Sequence, residues 1–149
     1  MVCTEPAINI DLFPTITAAT GLAPPSDRII DGKNLEGLIS GKEAKSPHDT
    51  LYFYHYEELE GLRQTNWKYF RNINHYTWPQ PVDKPTTFMG SIAKKGHFAD
   101  WPNLYNLSVD EGECYNQAAK YPDISRRMES AMVKWEREIA ANPRGWLKK

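Results

Sequence analysis

The sequence predicts an α+β fold: a small antiparallel sheet of about four strands packed against a long C-terminal helix. Three observations carry this expectation. Residues 51–56 are a run of leucine and aromatics, the composition of a strand. Residues 59–63 and 67–71 flank the polar Gln64-Thr65-Asn66, which reads as a hairpin. Ile124, Met128, Met132, Trp135 and Ile139 form one apolar stripe at helical spacing, opened by Pro122-Asp123 and stopped by Asn142-Pro143.

The elements follow in chain order. A first helix is expected over residues 11–20, where Leu12, Ile16 and Ala19 recur at helical spacing with Phe13 beside them. Asn9 or Asp11 can cap it, Pro14 is tolerated in its first turn, and Gly21 suits its end. So short an amphipathic helix needs a surface to lie against. Asn34 is placed to cap a second short helix through Leu35, Leu38 and Ile39, closed by Gly41. In the hairpin, Asn66 is the residue best suited to positive φ. Residues 72–102 lose all periodicity and carry prolines and glycines among Trp78, Phe88, Phe98 and Trp101, which predicts a loop folded over its own aromatics. Residues 104–107 supply the fourth strand, and the terminal helix lies across one face of the sheet.

At 149 residues, with 40% apolar and 25% charged residues, the chain has room for one modest core and too much apolar content for general disorder. The expected organisation is one domain over residues 1–149: a helical lead-in over about 8–41, the sheet and long loop over 48–107, and the terminal helix over 122–142. A net charge of −1 gives no reason to expect nucleic acid or an anionic membrane. No apolar run approaches the ~20 residues of a membrane span. The N-terminus shows no basic stretch followed by an apolar one, the pattern of a secretory leader.

Chemistry-bearing patterns are sparse. Cys3 and Cys114 lack the CxxC spacing of metal or redox motifs and are expected as unpaired thiols. His48, His55, His75 and His97 match no compact ligand motif. The segment Asp110-Glu111-Gly112-Glu113 lacks the ligand alternation of a calcium loop and reads as an acidic turn. No GxSxG elbow or glycine-rich phosphate loop is present. Trp78 and Trp101 are aromatic enough to stack on sugars, but self-packing of the loop accounts for them more simply. The most suggestive polar group is Arg63 with Tyr54-His55: a guanidinium fork suits sulfate, phosphate or carboxylate, and the hairpin sets these residues on neighbouring strands. The alternative is an Arg63 paired with Glu58 or Glu60.

Several phrases occur in a telling order: Asp11-Leu12-Phe13-Pro14-Thr15, then Asp27-Arg28-Ile29-Ile30-Asp31-Gly32, then Leu62-Arg63 with Trp67-Lys68, then Leu104-Tyr105-Asn106-Leu107 followed by Asp110, Glu113 and Asn116. In that order they resemble the C-terminal part of the sulfatases, the arylsulfatase-A-like branch of the alkaline-phosphatase-like superfamily. The resemblance runs from about Ile8 to about Ile124, with Asn66 where glycine is common and Glu111 where proline is usual. It implies a small antiparallel sheet with a long helix whose loops border a substrate pocket, with Tyr54, His55 and Arg63 as candidates for that rim. The family's chemistry uses a formylglycine made within a C-x-P-S-R type motif, together with a calcium ion. Cys3-Thr4-Glu5-Pro6-Ala7 does not match that motif, and the calcium ligands have no counterpart. The chain is therefore expected to carry no catalytic residue, metal or cofactor of its own. The expected function is that of a C-terminal fragment or subunit of a sulfatase, inactive alone. Its expected partners are a separate catalytic domain or a second copy met through the Leu12, Phe13, Ile16 face. The alternative is a free-standing, non-catalytic module for sulfated or anionic sugars. Family members are commonly periplasmic, secreted or lysosomal.

Overall fold

The computed structural model describes residues 3–73, 101–142 and 144. The chain forms two compact units, residues 52–136 and residues 1–51 with 137–149. The boundary falls at the first residue of β1 and again inside the last helix.

In the unit of residues 52–136 the expected sheet is present. Strands β1 (Leu51–His55), β2 (Glu58–Gln64), β3 (Trp67–Phe70) and β4 (Asn103–Asn106) lie in the order β1-β2-β3-β4. β2–β3 and β3–β4 pair antiparallel. The register sets Leu62 opposite Tyr69, and Tyr69 opposite Leu104. This cross-strand row is buried throughout. Over it lies α3 (Pro122–Ala141), which contributes the fully buried Met128 and Met132, with Ile124 and Trp135 packed at the margin. Burying each such side chain contributes ~1.5–3 kcal/mol, so the row and the helix stripe form the core of this unit.

β4 is an edge strand, and its outer side is covered. Leu104 N–H donates to Asn116 Oδ1 at 3.1 Å, and Gln117 N–H donates to the Leu104 carbonyl at 2.7 Å. Covering backbone groups in this way removes a template for edge-to-edge pairing.

Two turns differ from expectation. Tyr56 leaves β1 at φ 51, so the strand ends at His55. Between β2 and β3 it is Thr65, at φ 50, that takes the left-handed conformation instead of Asn66. Gln64 pairs with Trp67 across a two-residue turn. That geometry requires positive φ at its first central position, and position 65 holds threonine. Local bonds brace it: Thr65 Oγ1 donates to the Gln64 carbonyl at 2.7 Å, and the Thr65 carbonyl accepts from Arg63 Nε at 3.0 Å.

In the other unit, a 3₁₀ turn (Asn9–Asp11) leads into α1 (Leu12–Ala19). Gly21, at φ 73, ends α1 as expected: its N–H bonds the Ala18 carbonyl and Leu22 N–H bonds that of Thr17, the double bond of a Schellman cap. α2 (Glu36–Ile39) is entered through Asn34, whose Oδ1 accepts from Glu36 N–H, and is closed by Gly41 at φ 72. Gly32 is required where it stands, because a Cβ there would lie 2.2 Å from the Ile10 carbonyl oxygen. The aromatic loop expected over 72–102, with Trp78, Phe88, Phe98, His75 and His97, falls mostly outside the described residues.

Candidate functional site

The three candidate rim residues sit on the β1–β2–β3 ribbon, and strand alternation decides which of them share a face. Tyr52 stacks on Trp135 of α3 with ring centroids 4.2 Å apart, and the Tyr54 hydroxyl accepts from Trp135 Nε1 at 2.8 Å. Tyr54 therefore belongs to the helix-bearing face. Phe53 meets Phe70 and Lys68 on the opposite face, and His55, two residues on, shares it. Arg63 is in register with Lys68 and faces the same way. His55 adjoins the turn that enters β2, whereas Arg63 adjoins the turn that leaves it, so ~17 Å of strand separates their ends of the ribbon. The structure brings His55 and Arg63 to one face at opposite ends and sets Tyr54 on the other face.

Arg63 is not held by Glu58 or Glu60. Its Nε donates to the Thr65 carbonyl, and none of the ion pairs among the described residues uses it. Beside it, Lys68 is neutralised: its Nζ lies 2.5 Å from Glu113 Oε1 and 5.0 Å from the centroids of Phe53 and Phe70. The fork of Arg63 is thus the less committed cation of this pair.

The remaining motif residues turn out to fix loops. Asp110 accepts the N–H groups of Cys114 and Tyr115, both at 3.0 Å, so its carboxylate serves its own turn. Asn116 accepts from Leu104 and Ala118 N–H and donates to the Pro102 carbonyl and Asn103 Oδ1. Cys3 is exposed and Cys114 half-buried, both as free thiols. Among the described residues no group of three His, Cys, Asp or Glu side chains is placed to hold a metal ion.

Two polar constellations escaped the sequence reading. The first is Asp11, fully buried, whose carboxylate accepts Ile8 N–H (2.9 Å), Lys33 N–H (2.8 Å) and His48 Nε2 (2.7 Å). The second is Arg71, which forks between Glu129 and Glu136 of α3 while Tyr69 donates to Glu129 at 2.9 Å. The Glu136 bond, outweighing burial and joined by Glu129, pushes the Arg71 guanidinium further up from its already high value. Burial first, and then the Glu129 bond, push the Tyr69 hydroxyl up as well. The signal available for Arg71 was a pair of glutamates seven residues apart on one helix face. No local signal marked His48.

Residues 46–146 match the family model for the C-terminal region of aryl-sulfatase. Over 118 residues the chain is 31% identical to the steryl-sulfatase of Mus musculus, covering 75% of this chain and 19% of that protein. Over 59 residues it is 42% identical to the steryl-sulfatase of Homo sapiens, covering 40% of this chain and 10% of that one. The chain thus spans a fifth or less of these relatives. In fold it is similar to the PsFucS1 sulfatase from Pseudoalteromonas sp., with a TM-score of 0.66 at 16% identity over 90% of this chain and 26% of that one. The chain belongs to the arylsulfatase family, of which it carries the C-terminal region.

Proposed function

We propose that this chain acts as the C-terminal part of a sulfuric ester hydrolase, that it does not cleave esters alone, and that a separate catalytic region completes it. The observation that carries this reading is the confinement of the family match to the C-terminal region, in a chain spanning 10% and 19% of its steryl-sulfatase relatives. The formylglycine and calcium of the family would then belong to the catalytic region, as would the electrostatic work on the departing sulfate. Of the three rim candidates, Arg63 and His55 share a face and would border the substrate pocket, whereas Tyr54 lies on the helix-bearing face. Arg63 is the best suited of the three to an anion, because its fork is planar and free of acid partners among the described residues.

The exposed face of α1 supplies the docking surface in this reading. Leu12 and Ile16 are each 60% exposed and Phe13 47%, an apolar patch on a helix that buries Pro14 and bonds Leu35 N–H through Thr15. Its occupant is the catalytic region, because most of the relatives' length lies outside the matched part.

The test is aryl-sulfate turnover in calcium-containing buffer by the purified chain alone, together with its binding to a separately produced sulfatase catalytic region. No turnover is expected from the chain alone, and Ile16→Asp is expected to weaken binding at least ~10-fold, the loss of one well-buried apolar contact. Turnover that tracks the purified chain overturns the first part. Binding that is absent, or indifferent to Ile16→Asp, overturns the second.

A further inference from the structure

Just past β4 the chain reads Leu107-Ser108, and Asn106-Leu107-Ser108 is an N-x-S triplet. It is the only Asn-x-Ser/Thr in the chain, whose other asparagines (9, 34, 66, 72, 74, 103, 116 and 142) lack the hydroxyl two residues on. Such a triplet accepts an N-linked glycan where it lies at the surface in an open turn.

The local geometry fits an acceptor. Asn106 is the last residue of the edge strand β4, and the chain turns immediately afterwards. Its Oδ1 accepts both the N–H of Ser108 at 3.1 Å and the Ser108 hydroxyl at 2.6 Å. Its carbonyl accepts Asp110 N–H at 3.0 Å and Val109 N–H at 3.2 Å. All of these bonds use oxygens. Among the described residues the amide nitrogen, Nδ2, donates no hydrogen bond. Asn106 is half-buried, and the residues that follow it in the turn, Ser108 and Val109, are exposed, Val109 to 83%.

We propose that Asn106 is an N-glycosylation site. In the transfer, Asn106 Nδ2 attacks the anomeric carbon of a lipid-pyrophosphate-linked oligosaccharide. A C–N bond forms, the anomeric C–O bond to pyrophosphate breaks, the lipid pyrophosphate leaves, and Nδ2 gives up one proton. Oδ1 keeps its two bonds to Ser108, so the turn that ends β4 survives modification. The attached sugar would project from the sheet edge beyond β4.

The experiment translates the full chain behind a cleavable secretory leader into microsomes that carry the glycosyl donor. Mobility is read before and after peptide-N-glycosidase, and digestion in heavy-oxygen water locates the site by mass spectrometry. One glycan is expected, on Asn106, retained in Ser108→Thr and lost in Ser108→Ala and Asn106→Asp. Asn106→Asp keeps an oxygen acceptor for Ser108, so its loss of glycan is not a loss of the turn. An unmodified parent chain, or a glycan that persists in Ser108→Ala or Asn106→Asp, overturns the proposal.

Discussion

Among the described residues, the largest fully buried side chains of the unit of residues 52–136 are Leu62, Leu104, Met128 and Met132; that of the unit of residues 1–51 with 137–149 is Asp11. The first unit holds its shape by removing apolar surface from water. The second gathers backbone N–H groups and a histidine around one carboxylate, fixes Asp31 with Arg144 at 2.9 Å, and leaves Leu12, Phe13, Ile16, Leu22, Ile29 and Ile39 exposed. Hydrogen bonds each add only ~0.5–1.5 kcal/mol net but are costly to break when buried. The second unit also buries Leu35, Leu38 and Leu51, so it adds this polar specification to a smaller apolar core.

The largest expected effect tests the apolar side of this contrast. Leu104→Ala removes the end of the Leu62–Tyr69–Leu104 row beneath Met128 and Met132, and is expected to cost ~2–5 kcal/mol through lost burial plus a cavity. Chemical denaturation followed by tryptophan fluorescence reads it, since Trp67 and Trp135 border this core. A cost below ~1 kcal/mol would mean that the row is not what holds the sheet under α3.

Next in size is Asp11→Ala, expected to cost ~1–3 kcal/mol by leaving buried donors without an acceptor. Its signature is local. Amide exchange should quicken at Ile8 and Lys33, whose N–H groups bond the Asp11 carboxylate. Amides of the β2–β3 ladder share no bond with Asp11 and should keep their protection. Equal loss of protection in that ladder would erase the contrast.

The same division explains what the sequence made legible. Strands and α3 could be read because their signals are local: β-rich composition, a polar Gln64-Thr65-Asn66 turn, an apolar stripe at helical period. Gly21 and Gly41 were readable for the same reason. The Asp11 cluster was not, because its partners Lys33 and His48 lie 22 and 37 residues away and nothing in the helical period announces them. Adjacent strands suggest a shared face for Tyr54 and Arg63, but adjacency does not fix which way a side chain points. Alternation along β1, pinned by Trp135 on one side and Phe70 on the other, separates them. Thr65 replaced Asn66 at positive φ because the tight Gln64–Trp67 pairing sets the conformation of the first central residue regardless of preference.

The smallest expected effect is a pH dependence lodged in the apolar unit. Tyr69 is buried and donates to Glu129, and both causes push its hydroxyl up from the ordinary 10.0. The folded chain therefore keeps this proton at a pH where the unfolded chain releases it. The stabilisation is fully present below about pH 10 and is lost as pH rises above that value, by at most ~1.4 kcal/mol per pH unit for one proton. Tyr69→Phe removes the titrating group while Arg71 still holds Glu129, so its cost at neutral pH is ~1 kcal/mol, one hydrogen bond. Above the ordinary tyrosine range the two chains should converge in urea midpoint, since the parent loses what the variant never had. Midpoints that stay parallel across that range would show that Tyr69 ionises as freely in the fold as out of it. The buried bond to Glu129 would then contribute nothing specific to the packing of α3 on the sheet.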